Sequence, residues 1–396
     1  VTLAILIADR GSLTPVEIVT AAADTLPVLF VLDRNAEDRL RLVAEALAPT
    51  VYADFTDAAA CAEAIAKAGA TSVTTFTDRL CPLAAEIRGH DPWPHKEEQR
   101  RRLVAAGVSR VRSTALDDPG QTRTLLSQWA SGVVVKPVNG VASAHTWLLR
   151  TPRDVEEFLS AHRDGAPRLF AEEYIAGLPR ETPQVADYVS VELVGPLAFV
   201  TDRAPLALPC RETGLMWPTS LTETTRLVTT ARKAVEALAA GPGSYHVEIK
   251  PGTDRDEIIE VNGRLGGFVA RAAAYGADVD VARLALDVAA GAPDRPIQTI
   301  TWRRCVAVLL FPAPQAARRI SRAPDRRSLS RRPGVLAVDQ VRGAGEPCAW
   351  QRGTDDAVAT IWLTGDDHRE LWARFQDLTE HLREAFAFVD GEGNPT

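Results

Sequence analysis

The stretch HVEIKPGTDRDEIIEVNGRLGG, residues 246–267, sets two glutamates, Glu248 and Glu260, on either side of a turn. Tyr245, Val247 and Ile249 alternate with His246, Glu248 and Lys250, the period-2 pattern of a half-buried strand. Ile258-Ile259-Glu260-Val261 predicts the returning strand, and PGTDRD between them is turn chemistry. In such a hairpin the two carboxylates face each other with Cβ atoms roughly 5 Å apart. Like charges so placed repel unless a cation joins them. A divalent ion with oxygen ligands answers the pattern, and Asn262, two residues beyond Glu260, offers a third oxygen on the same face. Hard ligands of this kind suit Mg2+ or Mn2+ rather than Zn2+. An exposed acidic hairpin neutralised by Arg264 satisfies the same residues, so the hairpin alone leaves both readings open.

Lysine usage narrows the search. Of 45 basic residues only Lys67, Lys96, Lys136, Lys233 and Lys250 are lysine, so a compact, flexible ammonium is retained at few places. Lys67 and Lys233 sit in alanine-rich helical stretches, and the other three fall beside the candidate chemistry. Lys136 ends an apolar run and precedes PVNGVASA, a small-residue loop whose backbone N–H groups and Ser143 hydroxyl are donors suited to phosphate. It is not a Walker loop, because G-x-x-x-x-G-K-[ST] is absent. Alone, Lys136 reads better as a strand-end lysine reaching solvent, and the loop better as an ordinary hairpin connection.

The elements that must position these groups follow from the pattern. Residues 1 to about 90 alternate strand-like runs (LAILIA, PVLFVLD, TSVTTF) with helical segments such as EDRLRLVAEAL and DAAACAEAIAKAG, predicting a small parallel α/β sheet. Asp33 ends the second strand, as in dinucleotide-binding folds. The first turn, ADRGSLTPVEI, has one glycine where G-x-G-x-x-G is required, which rejects NAD. DPWP at 91–94 punctuates the chain, and HKEEQRRRLVAAGV reads as a helix opening with Lys96. VVVKPVNGVASAHTWLL predicts strand, loop and strand, and RLFAEEYIAG a further strand. Residues 268–290 read as one long alanine-rich helix. Residues 300–396, with CVAVLLF, ATIWLTG and the amphipathic HRELWARFQDLTEHLREAF, read as a separate α+β unit. Arginines 318, 319, 322, 326, 327, 331 and 332 crowd a Ser/Pro-containing stretch without interleaved aromatics, which predicts a solvated loop and not an RNA site.

Composition bounds the class. A chain of 396 residues exceeds one compact core, so two or three domains are expected. A net charge of −7 argues against nucleic acid or an anionic membrane as partner. Five cysteines without a C-x-x-C pair suit a reducing cytoplasm and give no zinc site. VTLAILIADRG lacks a basic n-region and a cleavage site and reads as a first strand, not a signal peptide. No apolar run approaches the ~20 residues that span a bilayer.

Taken in order, Lys96, VVVKPVNGVAS, AEEYIAG, DYVSVE (187–192), HVEIK and EVNGRLGG resemble the ATP-grasp superfamily over roughly residues 1–300. DYVSVELV followed by PCRETGLMWPTS, with the extra C-terminal unit, is most similar to L-amino-acid ligases and related carboxylate–amine ligases of small-peptide and antibiotic biosynthesis. The resemblance implies an α/β and α+β multidomain chain: an N-terminal parallel α/β domain (1–90), an ATP-grasp domain (91–298) with a mobile lid at about 132–172, and a C-terminal α+β domain (299–396). It implies ATP-dependent formation of an amide or peptide bond through an acylphosphate, releasing ADP and phosphate. ATP and Mg2+ (or Mn2+) are the implied cofactors, and small-molecule carboxylates and amines, amino acids foremost, the implied substrates.

Residue by residue, the resemblance implies that Lys96, Lys136 and Ser143 hold ATP phosphates. Glu172, Glu173 and Ile175 line the adenine cleft, largely through backbone groups. Glu248, Glu260 and Asn262 hold the metal, and Arg264, with Lys136, meets charge developing on the transferred phosphoryl group. Gly267 brings backbone N–H groups to an anionic intermediate, Glu212 contacts a substrate amino group, Arg211 a carboxylate, and Phe268 shapes the pocket. His246 shares a face with Glu248 and reads as a residue orienting its neighbours in preference to a catalytic one. Ala142 and Ala144 depart from the glycines the superfamily favours in the phosphate loop. Two rival readings stay open: a carboxylase-like member that activates bicarbonate, and an ATP-binding protein without turnover.

Overall fold

The computed structural model describes residues 1–8, 11–140, 142–162, 168–177, 186–207, 210–292 and 299–396. The expected boundary at 298/299 abuts residues 293–298, and the expected lid includes residues 141 and 163–167; these lie outside the described residues.

The apolar runs at the N-terminus become strands with both faces covered. β1 (Leu3–Leu6), β2 (Val28–Asp33), β3 (Thr50–Ala53) and β4 (Ser72–Thr75) pair in parallel in the order β3-β2-β1-β4. All four residues of β1 are buried, as a parallel sheet with helices on both faces demands. The helix Pro15–Ala22 begins where Thr14 and Glu17 cap each other's backbone and Pro15 occupies the first turn.

A second, antiparallel sheet follows: β5 (Ser113–Leu116), β6 (Val133–Pro137), β7 (Trp147–Leu149) and β8 (Leu169–Glu173), in the order β5-β8-β6-β7. The helix Pro152–Ala161 covers it with Val155 and Phe158, which join Val133, Val135 and Leu149 in one apolar cluster.

The third sheet carries the candidate hairpin. It is built from β9 (Val189–Val194), β10 (Leu197–Arg203), β11 (Gly214–Trp217), β12 (Ser244–Lys250), β13 (Glu257–Asn262), β14 (Cys305–Phe311), β16 (Val335–Val341) and β17 (Ala359–Gly365), with β15 (Arg319–Arg322) and β18 (Ala387–Val389) pairing apart from it. Its order is β13-β12-β9-β10-β11-β14-β17-β16, antiparallel throughout. The pairing of β11 with β14 carries one sheet across the expected 298/299 boundary, so the C-terminal residues extend this sheet.

Two expectations are corrected. Residues 268–290 form two helices, Val269–Gly276 and Val281–Ala289, the second capped by Asp280. The first ends where Gly276 presses on β14: a Cβ there would lie 2.7 Å from Val306 Cγ2. The arginine-rich stretch holds β15 and a short helix, Arg326–Ser330, because Ile320 and Leu329 within it are buried anchors and Asp325 caps the helix. The predicted C-terminal helix is present at His368–Ala385. Among the described residues no helix is long and apolar enough to cross a membrane.

Candidate active site

Alternation on β12 and β13 places Glu248 directly opposite Glu260, and His246 opposite Asn262. A β-bulge follows Glu248, a device that re-aims side chains near functional sites. On the other side of β12, His246 lies opposite Glu192 of β9, and Glu248 opposite Ser190. The facing glutamates border a cavity of about 900 Å3 lined by the two larger antiparallel sheets and by the turns that follow β1 and β4. Lys96, Lys136, Ser143, Glu172, Glu173, Ile175, Glu212, His246, Glu248, Glu260, Asn262, Arg264, Gly267 and Phe268 all line it.

Basic side chains neutralise the glutamates. Lys96, first residue of the helix Lys96–Ala105, pairs with Glu260. Arg203 of β10 reaches Glu248 at 3.4 Å and also pairs with Glu212. Burial pushes the Glu248 carboxyl up, but His246, Arg203 and Lys96 more than reverse this and hold it well below the usual range. Among the described residues no three His, Cys, Asp or Glu side chains group as a metal site. The donors that fit one are two facing carboxylates and the amide of Asn262, an oxygen set suited to Mg2+ or Mn2+.

His246 is fixed from both sides. Its Nδ1 lies 2.5 Å from Glu192 Oε1, whose other oxygen accepts the Gly266 N–H at 3.0 Å. Burial resists charging the ring, but Glu192 and Glu248 outweigh it and raise the pKa. Arg203 Nη2 lies 2.9 Å from Nε2. An arginine is always a donor, so that contact belongs to the neutral ring, and protonation goes with Nε2 turning to Glu248, 3.5 Å away. Gly266 has no room for a side chain, since a Cβ would meet His246 Nδ1 at 2.5 Å; at Gly267 a Cβ would meet nothing within 4 Å.

A second charged cluster borders the same cavity. Lys136 Nζ and Arg100 Nε each lie 2.5 Å from a different oxygen of Glu172, a buried carboxylate. Burial raises the Glu172 pKa, and Arg100 and Lys136 override it, taking the group down to about 2. Glu173 forms a two-point pair with Arg112 at 2.7 and 2.8 Å. Both glutamates thus use their side chains to fix β8. Arg264 is held two-point by Asp78 at 2.7 and 2.6 Å.

Arg211 is outside the cavity wall. Its guanidinium is buried over the Trp350 ring at 4.8 Å and donates to two main-chain carbonyls, Ser143 O at 2.8 Å and Trp350 O. The small-residue loop after β6 rests on the same C-terminal segment. Thr354 N–H donates to Ala142 O at 2.9 Å and His145 N–H to Gln351 O at 3.3 Å. Ala142 and Ser143 adopt positive φ, +53° and +55°, so the loop takes the left-handed backbone that glycine would favour without glycine.

Sequence reasoning missed Asp78, Arg100, Glu192 and Arg203. Glu192 and Arg203 had a signal: a charge inside an apolar strand, VSVELV or LAFVTDR. Asp78 and Arg100 had none, because their partners lie far along the chain.

No family model matches the sequence, and no curated protein does. Solved structures do match. An L-amino acid ligase from Bacillus licheniformis superposes with a TM-score of 0.72 at 18% identity, covering 98% of each chain. A carboxyaminoimidazole ribonucleotide synthase from Aspergillus clavatus, complexed with ATP, gives 0.71 at 16% identity over 97% of this chain and 98% of that one. The chain has the ATP-grasp fold. A phosphoribosylglycinamide synthetase from Anaerococcus prevotii gives 0.61 at 12% identity over 98% and 99%. ATP-grasp proteins therefore match this chain end to end.

Proposed function

We propose that the chain is an ATP-dependent carboxylate–amine ligase that forms an amide through an acylphosphate, with an amino acid among its substrates. The observation carrying this reading is the convergence of Glu248, Glu260 and Asn262 with Lys96, Lys136 and Arg264 on one cavity of an ATP-grasp fold. Each of the three basic groups has a carboxylate partner, Glu260, Glu172 and Asp78 in turn, and all six side chains line the one cavity.

Glu248, Glu260 and Asn262 would hold the divalent ion, which supplies charge neutralisation on the terminal phosphates. Lys96, Lys136 and the Ser143 loop bind those phosphates, and Arg264 meets charge on the moving phosphoryl group. A carboxylate oxygen of the acid attacks the γ-phosphorus, the O–P bond forms, and ADP leaves. The amine nitrogen then attacks the acyl carbon. The amine reacts neutral, its ammonium proton passing first to a cavity carboxylate; the C–N bond forms, phosphate leaves with the C–O electron pair, and one of the two remaining amine protons goes with it. Glu212, half-buried and paired with Arg203 on the cavity wall, is suited to an ammonium.

The test supplies Mg2+-ATP with pairs of amino acids and follows products. ADP and phosphate should appear in step with the amide. Stoichiometric AMP and pyrophosphate would overturn the acylphosphate route. The likeness to the carboxyaminoimidazole synthase favours a second reading in which bicarbonate is the acid, and bicarbonate-stimulated turnover without any amino acid would select it.

A further inference from the structure

Beyond the phosphate side, the cavity runs to a wall made by the helix Val269–Gly276 and the edge strand β16. Arg271 and Asp339 meet there, Nη1 to Oδ2 at 2.6 Å, and both line the cavity. Their side chains keep 36% and 25% exposure, so the pair is open on one side.

Three observations separate this pair from an ordinary surface ion pair. Arg271 is held in place: its Nε and Nη2 donate to Tyr275 Oη at 3.2 and 3.0 Å, and its guanidinium lies 5.5 Å from the Tyr275 and Trp362 ring centres. Asp339 is the extra residue of a β-bulge. On β16 Val338 pairs with Ile361 and Gln340 with Thr360, which leaves Asp339 without a cross-strand partner. Bulges of this kind re-aim a side chain. Finally, both bonds described for Asp339, from Arg271 and from Trp362 Nε1 at 2.8 Å, fall on Oδ2, leaving Oδ1 outside them.

We propose that Arg271 and Asp339 bind the charged head of an α-amino-acid substrate, Arg271 taking its carboxylate and Asp339 its ammonium. A rigid guanidinium and a carboxylate one hydrogen bond apart are complementary to a zwitterion, whose two charges replace the internal pair with two charge-assisted bonds. Leu215, Leu310, Phe268 and Ala357 line the cavity as well and give an apolar setting for the side chain. Phe268 directly follows Gly267 and packs edge-on to Trp362 at 6.0 Å, which joins this pocket to the phosphate side. A carboxylate bound by Arg271 is not free to be phosphorylated. The amino acid held here is therefore the amine acceptor: its ammonium gives a proton to Asp339 before the neutral nitrogen attacks, and its carboxylate survives in the product. The acceptor role rests on the ligase reading; the head-group site does not.

The experiment measures binding of the twenty amino acids, with their amides and their 2-hydroxy-acid analogues, to the full chain by calorimetry. At least one amino acid should bind about tenfold or more tightly than its amide or its hydroxy acid. Arg271→Ala should erase the preference over the amide, and Asp339→Asn the preference over the hydroxy acid. Each loss should occur without change in ATP affinity, which also shows that the variant is folded. No amino acid binding, or preferences unchanged in both variants, would overturn the site. Binding that follows this pattern without amide formation under any acid–amine pair would leave the site standing and remove the ligase reading. Should ligation occur, the product must carry a free carboxylate from the amino acid that Arg271 discriminates.

Discussion

Arg264 and Asp78 stand 186 residues apart in the sequence and form a two-point ion pair, with Nε to Oδ1 at 2.7 Å and Nη2 to Oδ2 at 2.6 Å. The pair ties the turn after β4 of the N-terminal parallel sheet to the cavity wall beyond β13, and it gives Arg264 a counter-charge. Asp78→Ala should lower the stability of that form by about 1–3 kcal/mol in urea unfolding. Mg2+-ATP should narrow the gap, since phosphates then face Arg264. A gap of equal size with and without nucleotide would show that Arg264 does not meet the phosphates.

The facing glutamates give the second prediction. Glu260→Gln and Glu248→Gln keep shape and remove a ligand charge. Each should reduce turnover by about a hundredfold or more at saturating Mg2+, the scale of lost metal-borne charge stabilisation. Near-normal rates in both variants would show that the hairpin is not the metal site.

The pH dependence follows from Glu172. Its carboxyl lies at about 2 in the folded chain against an ordinary value of 4.5, held there by Arg100 and Lys136 against the opposing effect of burial. A depressed carboxyl contributes stability that is complete above its unfolded pKa and is lost as pH falls through the folded one. The stability gap between wild type and Glu172→Gln should therefore be full near pH 5.5 and shrink by a few kcal/mol, in order of magnitude, towards pH 2. Urea midpoints of both proteins across that window measure it. A gap that does not change with pH would deny the ion cluster its assigned role.

The loop contact gives the fourth. Gly353 has φ +72°, and a Cβ there would come within 2.0 Å of Ala142 O. Gly353→Ala should push the phosphate loop off the C-terminal segment, and Arg211→Ala should release Ser143 O and Trp350 O. In both, amide exchange at 142–146 should accelerate and the KM for ATP rise about tenfold, the scale of one or two lost hydrogen bonds. Exchange rates identical to wild type would mean that the segment does not restrain the loop.

Much of this site was legible from local pattern. The alternation at 245–250 and the β-branched run at 258–261 specify the faces of two strands, and a turn between them specifies that Glu248 meets Glu260. Lysine scarcity pointed at Lys96 and Lys136 because their charge is used next to carboxylates. What escaped was non-local. Glu172 was assigned to the cavity, but its partner Arg100 lies 72 residues away, and period counting carries no information about such a distance. The resemblance implies a substrate carboxylate for Arg211, yet its guanidinium turns away from the cavity onto Trp350. The helix expected over 268–290 broke because Gly276 abuts Val306, a contact between remote segments. The same reason hid the continuity of the large sheet: antiparallel pairing of β11 with β14 depends on residues nearly a hundred positions apart.

That pairing limits how the protein can be taken apart. A fragment ending before residue 299 would leave β11 with a bare row of backbone donors and acceptors where β14 had been. Such an edge recruits other strands, so the shortened chain should aggregate even though every residue proposed to hold metal or phosphate remains in it. Exchanging the C-terminal portion between relatives faces the same obstacle, because the splice would have to reproduce a strand register as well as a linker. Changing side chains on the cavity wall leaves that register intact, whereas exchanging whole segments does not.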